Sequence, residues 1–401
     1  MRKLIIVIGL LLLTTAVASA QEWPMFKHDP QHLGSTDSSA PSNNEISWKF
    51  DGNQGWSSPA IANSRVFVVS SDGIVYAFNA LTGGKFWERN INASNLSSPA
   101  VSEGRVYVGG EENLFYCLSA SSGETIWKRS TDDAIKSPPV ISGNYLYYAS
   151  NTGHLYAVNI ADNTRLWENE DLGKVTSSPV VSEGKIIVGS WNDFIYAFNS
   201  ETGALLWKLE TTYSVISSLA VADNRVFVGG REVSGPQGWS MYSINLENGD
   251  NVWTYRIGPY VKSSPSILEN RVYFGADDNY VYALSTEDEV ENRLIWKFQT
   301  GARVQSSPAI ADGKIFVGSW DGYLYALNAD NGALIWKYDT GGFTRSSPAV
   351  AYSRVYAGGS GDFYCFGPEI EMGRPFLGKG ITYLMLAGIL LLIWLILHYK
   401  T

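Results

Sequence analysis

The sequence is poor in cysteine, histidine and clustered basic residues. Its 401 residues include two cysteines and four histidines, and the formal net charge is -9. Binding to nucleic-acid phosphates needs clustered Lys and Arg side chains, so an acidic chain without basic runs argues against a nucleic-acid partner. The sequence also has no C-x-x-C-H motif, which excludes covalent attachment of a c-type haem.

Each end of the sequence carries an apolar run. Residues 1–20 combine Arg2 and Lys3, an apolar stretch and the small residues Ala18-Ser19-Ala20, which predicts a secretory signal peptide. The alternative is an uncleaved anchor. Residues 381–399 contain no formal charge and are long enough to cross a bilayer, which predicts a transmembrane helix after a linker at 368–380. A buried helix and a cleaved sorting signal are the alternatives for this segment.

Together these two segments predict a single-pass membrane protein. Its body would lie on the extracytoplasmic side, at a cell surface or in a periplasm, with a short C-terminal tail in the cytoplasm. Residues 381–399 would contact the lipid bilayer. Other exported or membrane proteins would then be the expected partners.

Between these segments the chain is built from a repeat of about 40 residues. Each unit has a Ser-Ser-Pro-like element, two apolar runs with a turn between them, a turn that often reads Thr-Gly, and, in seven units, a Trp. Short period-2 runs separated by Asn, Asp and Gly turns predict four antiparallel strands, a to d. Such units arranged radially form a β-propeller. The elements begin at Ser57, Ser97, Ser137, Ser177, Ser217, Ser263, Ser306 and Ser346.

The strand-d tryptophans show how the ring closes. The eighth unit stops after residue 366 without a Trp, whereas residues 46–50, Ile-Ser-Trp-Lys-Phe, carry the missing pattern. Pairing this N-terminal strand with the eighth unit removes two open sheet edges. We therefore predict an all-β, eight-bladed propeller over residues 46–367, preceded by a lead segment at 21–45. The tryptophans are expected to fill the wedges between blades: Trp48, Trp87, Trp127, Trp167, Trp207, Trp253, Trp296 and Trp336.

Residues 77–87, Ala-Phe-Asn-Ala-Leu-Thr-Gly-Gly-Lys-Phe-Trp, resemble the repeat signature of the PQQ-like (quinoprotein-type) β-propeller family. Residues 197–207 and 326–336 match in the same way. The lead residues 23–34 resemble the segment that often precedes such propellers. The resemblance covers residues 23–366 and implies the propeller fold. In plan the chain is similar to BamB-like, non-catalytic members.

The resemblance also implies what an enzyme of this family would contain. Such enzymes are longer and use an adjacent Cys-Cys disulfide against the quinone, a bound calcium and a catalytic Asp. This sequence has no adjacent cysteine pair. The expectation is therefore a non-catalytic protein-binding scaffold without a cofactor or metal. The alternatives are a PQQ-dependent dehydrogenase and a sensor of PQQ or another small anionic ligand.

The two cysteines, Cys117 and Cys365, occupy the strand-c position that holds Ala in units such as Ala77 and Ala197. That position requires a small buried side chain, which a free Cys provides. The two residues belong to blades two and eight, with blade one between them, so their Cα atoms should lie too far apart for a disulfide. We predict two buried free thiols.

Residues just before each Ser-Ser-Pro element should line the mouth of the central channel, because strand a is innermost. Because side chains alternate along an extended chain, the residues one and three positions before the first Ser should point to the same side, towards the channel mouth. These positions contain five cations and three aromatics but no Asp or Glu, which favours an anionic or aromatic ligand. The alternative is that they are simply solvated loop ends. The candidates are Trp56, Lys136, Lys174, Tyr260, Lys262, Arg303, Phe343 and Arg345.

Three further features of the sequence are weaker evidence for a functional site. A b–c insertion at 231–239 offers Arg231 and Trp239 as a partner contact or channel lid, although Trp239 could instead pack against the ring. His28, Asp29 and His32 form too small a set to predict a metal site. The sequons at 92–94 and 95–97 matter only if the organism glycosylates exported chains.

Overall fold

The computed structural model describes residues 22–368, apart from positions 53, 94–96, 111, 212–213 and 232–237. Within these ranges the chain is all-β, and it contains no helix long and apolar enough to cross a membrane. The predicted signal peptide (1–20), most of the predicted linker and the predicted transmembrane segment (381–399) lie outside the described residues.

The described chain forms eight sheets, each with four antiparallel strands a to d, which confirms the eight-bladed propeller; the sheet of blade 7 gains a fifth strand from the lead segment. Strand a is Ala60–Ala62, Ala100–Ser102, Val140–Ser142, Val180–Ser182, Ala220–Ala222, Ser266–Leu268, Ala309–Ala311 and Ala349–Ala351. Strand b is Arg65–Val69, Arg105–Gly109, Tyr145–Ala149, Lys185–Gly189, Arg225–Arg231, Arg271–Gly275, Lys314–Gly318 and Arg354–Gly358. Strand c is Gly73–Asn79, Leu114–Ser119, Leu155–Asn159, Phe194–Asn199, Trp239–Asn245, Tyr280–Ser285, Tyr323–Asn328 and Asp362–Phe366.

Strand d is Lys85–Ala93, Thr125–Ser130, Arg165–Asn169, Leu205–Glu210, Asn251–Gly258, Leu294–Gln299, Leu334–Asp339 and, in blade 8, Ile46–Asp51. Strand b is almost wholly apolar because both faces of each blade pack against neighbouring blades. Strand d alternates between buried and exposed residues because it lies at the outer rim. We call the face that carries the b–c and d–a loops the upper face, and the opposite face the lower face.

The N-terminal strand closes the ring as predicted. Ile46–Asp51 pairs with Asp362–Phe366, and Trp48 lies opposite Cys365. Both cysteines are buried and free. Burial raises the pKa of the Cys117 thiol to about 12 and raises that of Cys365 further.

Each strand-d tryptophan docks on the next blade. The Trp87 indole N–H donates to the Ala120 carbonyl over 3.0 Å, and that of Trp167 donates to Ser200 over 2.9 Å. The turn glycine of the receiving blade lies under the ring, so that a Cβ on Gly203 would be 2.7 Å from Trp167 Cδ2. The Thr-Gly turn of the repeat therefore provides an inter-blade socket.

The hydrogen bond of the strand-d tryptophan differs where the c–d turn of the next blade departs from the repeat. Blade 3 has Asn163 in place of the turn Gly, and blade 6 has the acidic extension at 287–291. In the blades just before them, the indole N–H groups of Trp127 and Trp253 have no partner among the described residues. Blade 8 has no c–d turn, and the Trp336 N–H donates to Pro41 of the lead segment over 3.4 Å.

The second serine of the repeat links neighbouring blades around the channel. Its backbone N–H donates to the hydroxyl oxygen of the second serine in the following blade, and six such bonds of 2.8–3.2 Å are formed. The ring is interrupted in blade 3, where Pro138 replaces this serine and supplies neither group. The Ser-Ser-Pro element thus joins the innermost strands to one another.

The lead segment lies along the inner edges of the strands a. Its main chain bonds to strand a in six of the eight blades, from the Trp23–Ile61 pair in blade 1 to the Gly34 carbonyl, which accepts from Ile310 in blade 7. Residues Ser35–Thr36 then pair with strand a of blade 7 in parallel. The segment therefore occupies the lower part of the channel, and a ligand would approach from the upper face.

Two buried polar side chains hold this segment in place. Lys27 donates to the Pro308 carbonyl over 3.0 Å and also contacts the Ser266 hydroxyl. His32 contacts the Leu219 carbonyl and the Ser178 hydroxyl through its two ring nitrogens. Burial lowers the pKa of Lys27 to about 7 and that of His32 to about 4.

Candidate binding face

The upper face brings most of the predicted mouth residues to the surface. Tyr260 and Phe343 are exposed by 49% and 60%, which makes them available to a ligand. Arg303 and Arg345 are also exposed, whereas Lys136, Lys174 and Lys262 are half-buried. None of Lys136, Lys174, Lys262 and Arg345 lies within ion-pair distance of a carboxylate in the described part of the chain.

Trp56 does not line the mouth, contrary to the prediction. Its side chain is 3% exposed and packs between blades 8 and 1, with Phe50 and Phe363 at centroid distances of 6.0 and 5.7 Å. In other blades the residue two before the first Ser fills the equivalent place, as Val304 does against Gly275. In blade 1 the loop is shifted by one residue, so that Trp56, directly before the first Ser, packs against Gly358 at this place.

Two tryptophans that the sequence reasoning missed organise this face. Trp191 and Trp320 follow strand b in blades 4 and 7, at equivalent positions of the repeat. The backbone N–H of Trp191 donates to Lys174 O over 2.8 Å, and that of Trp320 donates to Arg303 O over 2.9 Å. Each tryptophan thus lies beside a cation from the loop that enters its own blade.

Cations lie over both rings. Lys174 Nζ is 4.0 Å from the centroid of the Trp191 ring, whose indole N–H donates to the Thr176 hydroxyl. Trp320 has two guanidinium groups over it, with the Arg345 Cζ at 4.4 Å and the Arg303 Cζ at 5.7 Å. Such contacts orient the long cationic side chains, and they contribute roughly 0.5–1 kcal/mol each at exposed sites.

Phe343, from the loop between blades 7 and 8, completes the group around Trp320. Its ring centroid is 5.1 Å from that of Trp320. We call Arg303, Trp320, Phe343 and Arg345 the Trp320 cluster. One carboxylate approaches it, since Asp277 Oδ2 is 3.9 Å from Arg303, but Asp277 Oδ1 also accepts from Gln305 over 2.8 Å.

The described ends of the blade-5 insertion add no exposed aromatic side chain to the upper face. Trp239 begins strand c, is 6% exposed and lies 4.8 Å from the Tyr260 ring centroid, so it packs against the ring of blades. Of the two interpretations of Trp239, the structure therefore matches the packing one. Arg231 ends strand b, and positions 232–237 lie outside the described residues, as do 94–96 in the two sequons.

A separate polar group lies on the same face at blade 3. His154 Nδ1 is 2.7 Å from Glu168, and its Nε2 is 3.5 Å from Asp132. Partial burial lowers the pKa of His154, but the bond to Glu168 and the charges of Asp132 and Glu170 outweigh it and raise the pKa overall. His154 therefore ties the loop before blade 3 to the outer strand of that blade.

His154, Glu168 and Glu170 have ligand atoms within 4.8 Å of one another. Since both imidazole nitrogens already face carboxylates, we assign no metal to this group. The lead-segment histidines likewise form no ligand set. His28 pairs with Asp29, and His32 is enclosed by Ser178 and the Leu219 carbonyl.

The sequence family described as outer membrane protein assembly factor BamB matches four overlapping stretches of the chain. They are residues 38–98, 71–190, 169–288 and 288–366, which cover the whole propeller. The chain belongs to the PQQ-like β-propeller family. No curated protein sequence matches the chain.

Solved structures share the fold of this PQQ-like propeller. BamB from Moraxella catarrhalis superposes with a TM-score of 0.65 at 17% identity, over 82% of this chain and 98% of that one. Quinohemoprotein alcohol dehydrogenase from Comamonas testosteroni gives 0.69 at 14% identity, over 92% and 84%. The computationally designed Ika8 protein gives 0.69 at 15%, over 81% and 100%. Assembly factors and quinoprotein enzymes of the family thus have the same architecture as this chain.

Proposed function

We propose that this PQQ-like propeller is a non-catalytic scaffold that binds other exported or membrane proteins through its upper face. The observation that carries the proposal is the concentration of exposed Trp, Phe, Tyr and Arg side chains there. These residue types dominate the energetics of protein–protein interfaces, whereas Lys and Glu are depleted from interface cores. The family match to BamB, described as an outer membrane assembly factor, supports the same role.

The proposal includes export and anchoring to a membrane. It rests here on the sequence of residues 1–20 and 381–399, which has the pattern of a signal peptide and of a membrane-spanning segment. The body of the protein would lie on the extracytoplasmic side.

The described residues around the cations of the upper face do not fit a quinone cofactor held with calcium. Calcium prefers six to eight oxygen ligands, many of them carboxylates. The carboxylate beside the cations, Asp277, is already engaged by Gln305 and Arg303. The two cysteines are buried in strands c of different blades and are not adjacent in sequence. We therefore derive no redox step for this chain.

Two measurements test the proposal. The full chain, solubilised in detergent, is titrated with PQQ and calcium while absorbance and dye reduction with alcohols or sugars are followed. We expect neither saturable binding nor turnover. Tight binding with turnover would refute the scaffold function in favour of a dehydrogenase, and tight binding without turnover would favour a sensor.

The second measurement maps the binding face in the native membrane. A photo-crosslinking amino acid replaces Phe343 on the upper face or, as the control, Glu124 in an exposed turn of the lower face. We expect discrete adducts with identified membrane or exported proteins from position 343 and none from position 124. Adducts from position 124 alone would place the partner on the opposite face.

A further inference from the structure

The Trp320 cluster differs from the equivalent position in every other described blade. Blade 4 has the same backbone arrangement, with one cation over Trp191. Blade 7 has two guanidinium groups over one indole, and Phe343 beside it. The cluster therefore combines two positive charges with an apolar surface at one point of the upper face.

The charges of the cluster are incompletely compensated. Arg345 has no carboxylate within ion-pair distance in the described part of the chain, and the single contact of Arg303 to Asp277 spans 3.9 Å. Both guanidinium groups lie against the Trp320 ring, so a carboxylate that reaches this ring meets incompletely compensated positive charge. Guanidinium groups suit this role, because their planar N–H groups bind carboxylates in a bidentate manner.

The apolar part of the cluster is equally open. Phe343 is the most exposed of the large hydrophobic side chains that the structure describes, at 60%. Removing such a ring from water favours contact with an apolar or aromatic group of a ligand. Phe343 lies two residues before Arg345, so one short ligand segment can reach both.

We propose that the Trp320 cluster binds a segment of a partner polypeptide in which a carboxylate side chain lies close to an aromatic side chain. The carboxylate pairs with Arg345 and Arg303, and the aromatic group packs on Phe343 and the edge of Trp320. This inference rests on the proposed scaffold function and names the chemistry of its partner. Charge complementarity at Arg345 and the exposed Phe343 favour this occupant over a purely apolar or a basic segment.

A random copolymer of glutamate and tyrosine serves as the probe, with polyglutamate for comparison. Binding to the full chain in detergent is measured by fluorescence anisotropy of the labelled polymer. We expect the Glu/Tyr copolymer to bind at least about fivefold more tightly than polyglutamate, because tyrosine adds contact with Phe343. Affinity should also fall as salt is raised.

Five variants locate the binding. Arg345→Gln and Phe343→Ala should each weaken copolymer binding about tenfold, and Arg345→Lys about threefold, since Lys keeps the charge without the planar fork. Arg89→Gln removes one positive charge from the outer rim and should leave binding unchanged. Lys174→Gln alters the equivalent pair in blade 4 and should change binding less than twofold. Unchanged melting temperatures ensure that these differences are local.

The outcomes separate this inference from the proposed function. Absence of copolymer binding, or equal binding by the wild type and the Phe343→Ala/Arg345→Gln double variant, overturns the assignment of the Trp320 cluster. If position 343 still gives discrete protein adducts in the membrane, the scaffold function remains and only the partner chemistry is wrong. If Arg89→Gln weakened copolymer binding as much as Arg345→Gln does, net charge alone would govern binding.

Discussion

The docking of strand-d tryptophans on turn glycines can be tested with a matched pair of substitutions in blade 4. Gly203 and Gly184 have φ angles of +70° and +71°, so an added methyl group strains the two backbones equally. A Cβ at Gly203 would lie 2.7 Å from Trp167 Cδ2, whereas a Cβ at Gly184 would meet nothing within 4 Å. The difference between Gly203→Ala and Gly184→Ala therefore isolates the inter-blade contact.

The expected magnitudes follow from four contributions. Left-handed backbone strain costs an alanine about 1–2 kcal/mol, and the lower entropy of the unfolded chain offsets about 0.4–1 kcal/mol of this. Gly184→Ala should thus lower the free energy of unfolding by about 1 kcal/mol. At Gly203 the displaced Trp167 adds about 1–3 kcal/mol for overpacking, and weakening of its bond to the Ser200 carbonyl adds about 1 kcal/mol. Gly203→Ala should cost about 3–5 kcal/mol in total.

Guanidinium-induced unfolding, followed by tryptophan fluorescence, measures both variants against the wild type. Gly203→Ala should unfold at a clearly lower denaturant concentration than Gly184→Ala. Equal midpoints for the two variants would refute the socket, since the backbone term is common to both. A Gly203→Ala/Trp167→Ala double variant provides the internal check, because the steric term should disappear once the ring is absent.

Three further predictions concern buried and titratable groups. Cys117 and Cys365 should not react with a thiol reagent in the native state, and both should react in denaturant; rapid native reaction would contradict their burial. Lys27 has a folded pKa lowered to about 7, so the wild type should gain stability as pH rises from about 7 to 10, a gain that Lys27→Met lacks; a parallel pH profile in the variant would refute this. The raised pKa of His154 stabilises the fold below about pH 6.5, and this contribution is lost as pH rises through the folded value. The melting temperatures of the wild type and His154→Gln should therefore converge at alkaline pH, and a gap independent of pH would contradict the ion pairing with Glu168.

The repeat predicted the fold because its signals are local and recur. The pattern around Trp48 identified the strand that completes blade 8, and the alanine positions identified the surroundings of Cys117 and Cys365. Hydrogen bonds between residues about 40 positions apart in the chain could not be predicted from the sequence. The serine ring, for example, joins Ser178 to Ser218 through a geometry that only the assembled channel creates.

The candidate face was predicted in part. The alternation of loop residues predicted that Tyr260 and Phe343 are exposed, and they are. It predicted the same for Trp56, but the loop before blade 1 is shifted by one residue, and the indole is buried between blades 8 and 1. Trp191 and Trp320 were not predicted, because the sequence of a b–c turn does not show which side chain of the neighbouring loop packs over it. Their shared position after strand b, in the sequences Gly-Ser-Trp-Asn and Gly-Ser-Trp-Asp, was the available signal.

Closure by the N-terminal strand has a consequence for the order of folding during synthesis. Lys49 and Asp362, whose side chains are in contact across the two outer strands of blade 8, are 313 residues apart in the chain. The strand made first must wait, unpaired, until the last blade has left the ribosome. Folding that depends on such distant contacts is slow, and an unpaired strand is open to aggregation. The ring can therefore close only after blade 8 has been synthesised, and a chaperone that shields residues 46–51 should raise the yield of folded protein.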